Sequence, residues 1–147
     1  MDTLQIDKKI IAPGFLGAFP YDELPEKPKS DTFSVVINSE SSKEPGEHWL
    51  VLLYKKPSFY FLDSYGRSLH DQTFSSHFTK TIKSYIGNAR YKFNRKMLQQ
   101  LTSNACGDYC VYFINEMSKR SFVKVFSVFG KKLAKNDEFV EKYVLSI

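Results

Sequence analysis

From Thr32 onward, short apolar runs alternate with polar, breaker-rich stretches, and that rhythm sets the expected elements. Thr32 to Asn38 reads as a strand, and Ser39 to Gly46 as a polar loop. His48 to Tyr54 and Ser58 to Asp63 read as two strands separated by Lys55-Lys56-Pro57. Both faces of that hairpin are apolar: Leu50, Leu52, Phe59 and Phe61 share one face, and Trp49, Val51, Leu53, Tyr60 and Leu62 the other. Such a sheet must be covered on both sides. Gln72 to Ile86 places apolar residues at 74, 78, 82 and 85–86, a helical spacing, and Arg90 to Asn94 suits a short strand. The clearest helix runs from Asn104 to Met117, with Tyr109, Cys110, Phe113 and Met117 along one stripe. Phe122 to Phe129 and Asp137 to Leu145 suggest further helices. Residues 1–31 hold most of the prolines and predict an irregular, wrapping segment.

The 147 residues fit a single domain, 1–147, and thirteen Phe with nine Tyr predict a core built from rings. No apolar run approaches the roughly 18 residues of a membrane span. Met1-Asp2-Thr3-Leu4-Gln5 lacks the basic start and apolar block of a signal peptide. The two cysteines, four apart on one helix, offer no disulfide framework, which fits a reducing compartment rather than secretion. Net charge is uneven. Residues 1–79 carry eight basic and eleven acidic side chains, whereas residues 80–147 carry thirteen basic and five acidic. A basic half is compatible with a polyanionic partner, although most charged surfaces merely solvate the fold.

Candidate chemistry centres on Asn104-Ala105-Cys106-Gly107-Asp108-Tyr109-Cys110, which sets a thiol where loop becomes helix. Cys106 falls in the first turn, where backbone N–H groups are unpaired; Cys110 lies one turn deeper on the apolar stripe and reads as core. A free thiol has a pKa near ~8.5. Lowering it to about 4 requires roughly 6 kcal/mol of preference for the thiolate. A helix N-terminus supplies at most ~2 kcal/mol, so an imidazolium is required. Among the three histidines, His48 is the candidate. If the hairpin turns through a two-residue loop at Lys55-Lys56, Asp63 lies directly opposite His48; a four-residue loop leaves it diagonal on the same face. His70 and His77 have no strand acid so placed. Gln99 and Gln100 precede the thiol and can offer an oxyanion donor beside the Cys106 backbone N–H. Trp49 can wall a substrate channel, and Gly107 can admit a substrate closely. A Cys-x3-Cys metal half-site lacks further ligands at a recognisable spacing, so no metal is expected.

The order His-Trp, acid, Gln, Cys-Gly resembles the clan that holds the adenovirus maturation protease and the SUMO-specific proteases. Phe15-Leu16-Gly17-Ala18-Phe19, Ile37-Asn38-Ser39 with Gly46-Glu47-His48-Trp49, and Ser103 to Cys110 look most like the adenovirus-type branch, including proteases of virophages and virus-like transposons. The resemblance spans about residues 15–115. It implies an α+β fold with a central mixed or antiparallel sheet flanked by helices and the nucleophile at the N-terminus of the central helix. It implies a cysteine endopeptidase in which Cys106 is the nucleophile, His48 the base and Asp63 the orienting acid. The seven-residue spacing of that branch favours Gln99 as oxyanion donor; the six-residue spacing of the SUMO branch favours Gln100. Implied substrates are proteins with glycine or other small residues at the cleavage site, such as capsid or core precursors. The implied setting is a virion or the host cytoplasm or nucleus, and the implied state a monomer without a required cofactor. Gly87, Asn88 and Ala89 occupy the region where adenoviral enzymes carry a cysteine for an activating peptide, so activation through a disulfide is not expected. DNA as activator remains open, with Arg90, Lys92, Arg95 and Lys96 forming a basic, aromatic-interleaved patch. Rival readings are a protease that removes a ubiquitin-like modifier, a thiol acyltransferase, and a non-catalytic nucleic-acid-binding protein.

Overall fold

The computed structural model describes residues 1–46 and 48–147; Glu47, part of the segment before the candidate base, lies outside the described residues. The fold is α+β. Five strands, β1 (Phe15–Pro20), β2 (Thr32–Asn38), β3 (Trp49–Lys55), β4 (Ser58–Leu62) and β5 (Arg90–Phe93), form one sheet in sequence order. The outer pairs β1–β2 and β4–β5 are parallel and the inner pairs antiparallel, so the sheet is mixed.

Both faces are covered, as the hairpin pattern requires. Val36, Val51, Leu53 and Leu62 pack beneath α3 (Cys106–Met117) with α1 (Thr3–Lys9), α4 (Phe122–Phe126) and α5 (Leu133–Leu145) around it. Phe33, Val35, Ile37, Leu50, Leu52, Phe59 and Phe61 pack against α2 (Ser76–Ile86). The core is ring-rich: Phe113, Tyr112 and Phe129 meet at centroid separations of 5.4 to 6.4 Å, mostly edge to face.

Four expectations are corrected. Residues 1–31 are not irregular throughout, since they contain α1 and β1. A reciprocal cap starts α1: the Gln5 N–H donates to Asp2 Oδ1 at 2.9 Å, and the Asp2 N–H donates to Gln5 Oε1 at 2.8 Å. Ile6 and Ile10 then bury against α3. β1 shows little alternation because its register shifts between Phe15 and Ala18. The hairpin turn is Lys56-Pro57 rather than Lys55-Lys56: Lys55 pairs with Ser58, and the Lys56–Pro57 peptide is cis. Pro57 has no N–H to give a ladder, so it belongs in the turn. The register therefore moves by two residues, and Val51 pairs with Leu62. Carried one step past the last pair, that register matches the diagonal arrangement; His48 and Asp63 themselves lie just outside β3 and β4. Finally, α2 begins at Ser76, because Asp71 accepts the Thr73 N–H at 2.9 Å and Ser75 caps the helix through the Phe78 N–H at 3.1 Å. α5 starts at Leu133, four residues before the expected Asp137.

Candidate active site

Three elements deliver the predicted residues to one place. His48 immediately precedes β3, Asp63 immediately follows β4, and Cys106 is the first residue of α3, which packs across β3. His48 Nε2 lies 2.7 Å from Asp63 Oδ1, with Asp63 fully buried and His48 nearly so. The other ring nitrogen is left for the thiol, and His48 and Cys106 each favour the other's charged form. Cys106 is partly accessible while Cys110 is sealed in the core.

The start of α3, like that of α5 at Lys132, has no side-chain cap. Asp2, Ser75 and Ser121 cap α1, α2 and α4 through side-chain oxygens, but Ala105 at the start of α3 has nothing to offer. An Ala in place of Ser, Thr, Asn or Asp at such a position costs about 1 kcal/mol. It leaves the first N–H groups open to an anion.

Electrostatics agree with the geometry. At Cys106, burial opposes the thiolate, yet the hydrogen bond and charge of His48 and the Trp49 backbone N–H outweigh it, so the pKa is lowered. At His48, burial again opposes charge, and Asp63 with Cys106 raises the pKa regardless. Asp63 is held below its ordinary value, since His48 and Arg67 together overcome its desolvation. Opposite shifts at thiol and imidazole favour a thiolate–imidazolium pair.

Arg67, Tyr65, Asn94 and Ser64 support the site and were not singled out from sequence. Arg67 Nε donates to Asp63 Oδ2 at 2.7 Å, and its guanidinium sits 4.3 Å from the Phe74 ring centre. The Tyr65 ring stacks on His48 with centroids 4.7 Å apart. Asn94 clasps the Asp63 backbone, accepting its N–H at 2.9 Å and donating to its carbonyl at 2.6 Å. The intervening turn needs Gly66, whose φ is +72°; a Cβ there would come within 2.6 Å of the Lys96 carbonyl oxygen. The signal was present in Asp63-Ser64-Tyr65-Gly66-Arg67, where an arginine four residues past an acid can fold back onto it.

The remaining candidates divide. Gln99 is fully buried next to the site, whereas Gln100 is exposed. The Gln99 amide nitrogen donates to the Ser103 carbonyl at 3.0 Å and contacts its hydroxyl at 3.1 Å. Gly107 is buried, and the space a side chain would take there is held by Met1, whose Cβ lies 2.9 Å from the position of an added Cβ. Met1 also accepts a hydrogen bond from Trp49 Nε1 at 3.1 Å. So Met1 of the chain itself occupies the space beside Gly107 and the hydrogen bond of the Trp49 indole. Arg90, Lys92, Arg95 and Lys96 are exposed on and just after the edge strand β5, with Lys92 over Tyr60 and Arg95 over Phe93. Beside His48 opens a polar cleft of about 620 Å³ lined by Tyr21, Glu44, Tyr65, Arg67 and His77. A larger, apolar cleft of about 770 Å³ lies between the segment after β5 and α4, lined by Phe93, Leu98, Phe122, Phe126 and Phe129. Among the described residues no helix is long and apolar enough to cross a membrane.

No protein-family model and no curated protein sequence matches the chain. Solved structures do. The central domain of an uncharacterized protein from Legionella pneumophila superposes with a TM-score of 0.54 at 9% identity, covering 99% of this chain and 97% of that one. A protease of ASFV gives a TM-score of 0.48 at 18% identity, covering 78% of this chain. The chain spans only 44% of that protease's length. The SUMO protease Ulp1, with its catalytic cysteine oxidized to a sulfinic acid, gives 0.48 at 14% identity over 97% of this chain and 72% of its own. At these identities the likeness concerns the fold, and it rests on the Legionella domain.

Proposed function

We propose that this protein is a cysteine endopeptidase. The observation that carries the reading is the convergence of His48 and Asp63, 2.7 Å apart, on a thiol at an uncapped helix start. The Cys106 thiolate attacks a peptide carbonyl carbon, and the resulting oxyanion takes hydrogen bonds from the Cys106 backbone N–H and the Gln99 amide. His48 gives its proton to the amide nitrogen as the C–N bond breaks, releasing the amine and leaving a thioester. Water then attacks with His48 accepting its proton, the C–S bond breaks, and the carboxylic product leaves with Cys106 restored. Asp63, fixed by Arg67 and Asn94, holds the imidazole ring in place throughout.

The clan resemblance supports a finer reading: cleavage at small or glycine-containing sites in viral or transposon-encoded capsid or core precursors. The exposed basic residues Arg90, Lys92, Arg95 and Lys96 give DNA a surface on which to act as activator. The test incubates the protein with structural precursors encoded beside it, with and without DNA, and compares Cys106→Ala and His48→Ala. Both variants are expected to lose cleavage; retention by either rejects the reading. DNA that leaves the rate unchanged at low salt rejects the activator role alone.

A further inference from the structure

The Gln99 side-chain amide is held at both ends, and one of the holders follows directly on the catalytic acid. The Ser64 hydroxyl donates to Gln99 Oε1, while the Ser64 carbonyl accepts the Leu98 N–H at 2.8 Å and the Gln99 N–H at 3.1 Å. On the far side, the Ser103 carbonyl takes a hydrogen from Gln99 Nε2 at 3.0 Å. Ser64 and Gln99 are both buried, so neither has water as an alternative partner.

An amide side chain is nearly symmetric in shape but not in charge. A carbonyl only accepts, so the Ser103 oxygen selects the –NH2 end of Gln99. That leaves Oε1 facing Ser64, whose hydroxyl is its one donor among the described contacts. Without that donor, Oε1 would be a buried acceptor with no partner, and the side chain would gain by rotating toward any N–H or water it can reach. Rotation carries oxygen toward the cleft, where it repels rather than stabilises an oxyanion.

We infer that Ser64 is a positioning residue that fixes the Gln99 amide with its N–H end toward Ser103, three residues before the nucleophile, tying the oxyanion donor to the same β4 end that carries Asp63. Ser64 does not touch substrate. It acts through Gln99, and the Ser103 hydroxyl, 3.1 Å from Nε2, holds the hydrogen that the oxyanion takes over. This rests on the reading of the site as a peptide-cleaving centre.

The test uses a fluorogenic glycine-containing peptide cleaved by the wild-type protein, with Ser64→Ala, Gln99→Ala and the double variant. Removing one oxyanion donor typically lowers kcat by about 10²–10³; Ser64→Ala should lower it by about tenfold or more, with KM within about twofold. The double variant should match Gln99→Ala within about twofold, because a positioned group that is absent cannot be mispositioned. Iodoacetamide alkylation of Cys106 should proceed at the wild-type rate in Ser64→Ala. Wild-type kcat in Ser64→Ala, a multiplicative loss in the double variant, or slowed alkylation each overturns the inference while the peptidase reading stands. A wild-type protein that cleaves no peptide overturns both.

Discussion

Cys106 and Cys110 sit one turn apart on α3, and burial disfavours the thiolate at both. Yet the first is pulled below its ordinary pKa and the second is pushed well above it. Burial is the first cause at both and is complete at Cys110, which is sealed where Cys106 is partly accessible. Contact with His48 and the Trp49 backbone N–H reverses the sign at Cys106; at Cys110 burial among apolar side chains raises the pKa and the negative charges of Cys106 and Asp63 add to it. One α-helix thus carries a thiol whose anion is favoured and one whose anion is disfavoured, and His48 makes most of the difference at the first.

The strongest way to break that contrast is to remove the thiols one at a time. Cys106→Ala is expected to abolish peptide cleavage and iodoacetamide labelling, while Cys110→Ala keeps both and costs about 1 kcal/mol of stability in a urea titration. Labelling that persists without Cys106 refutes the assignment. Next, His48→Ala should lower kcat by about 10³-fold, within the ~10²–10⁴ range of acid–base catalysis, and move the alkylation midpoint of Cys106 upward. An unmoved midpoint means the imidazole does not hold the thiolate. Asp63→Asn should reduce kcat by about 10- to 100-fold, with wild-type secondary structure by circular dichroism, since the ring loses its anionic partner but keeps a hydrogen bond.

The pH dependence has a definite sign. Asp63 is depressed in the fold, so its contribution to stability is present above about pH 3.9 and is lost as pH falls through the lower folded value. His48 is raised, so its contribution is present below about pH 6.5 and is lost as pH rises through the higher folded value. Urea titrations across pH should show both limbs, and His48→Ala should flatten the alkaline one. The smallest effect belongs to Asp108, where burial and the nearby Glu141 push the carboxyl up to about 6. A carboxyl raised in the fold loses stability as pH climbs from about 3.9 through its folded value. Because Asp108 is only half-buried, the loss is discounted to about 1 kcal/mol. Asp108→Asn should therefore gain about that much at pH 8 and nothing at pH 3.5, measured by urea titration.

Much of this could be read from the chain because the relevant signals are local or periodic. Alternation placed β2, β3 and β4 and divided their residues between two cores; helical spacing found α3 and set Cys106 at its start and Cys110 on its buried stripe. The His48–Asp63 pairing followed from hairpin geometry even though the turn was placed one residue early, since a shift of two leaves side chains on the same face. What escaped was set by contacts between segments far apart. No periodicity announces that Asn94 clasps the Asp63 backbone, or that Tyr65 lies flat on His48. Spacing favoured Gln99 over Gln100 only through resemblance, and burial separates the two directly. The helix at Thr3–Lys9 was masked by proline density further along, although Asp2 and Gln5 carried a capping pattern in plain view.

Met1 rests against Gly107 and takes the indole hydrogen of Trp49. Whatever precedes that methionine on a polypeptide, a purification tag or native sequence, emerges next door to the reactive sulfur. A segment joined to Met1 is therefore expected to change the access of iodoacetamide to Cys106, measured by comparing labelling rates with and without it.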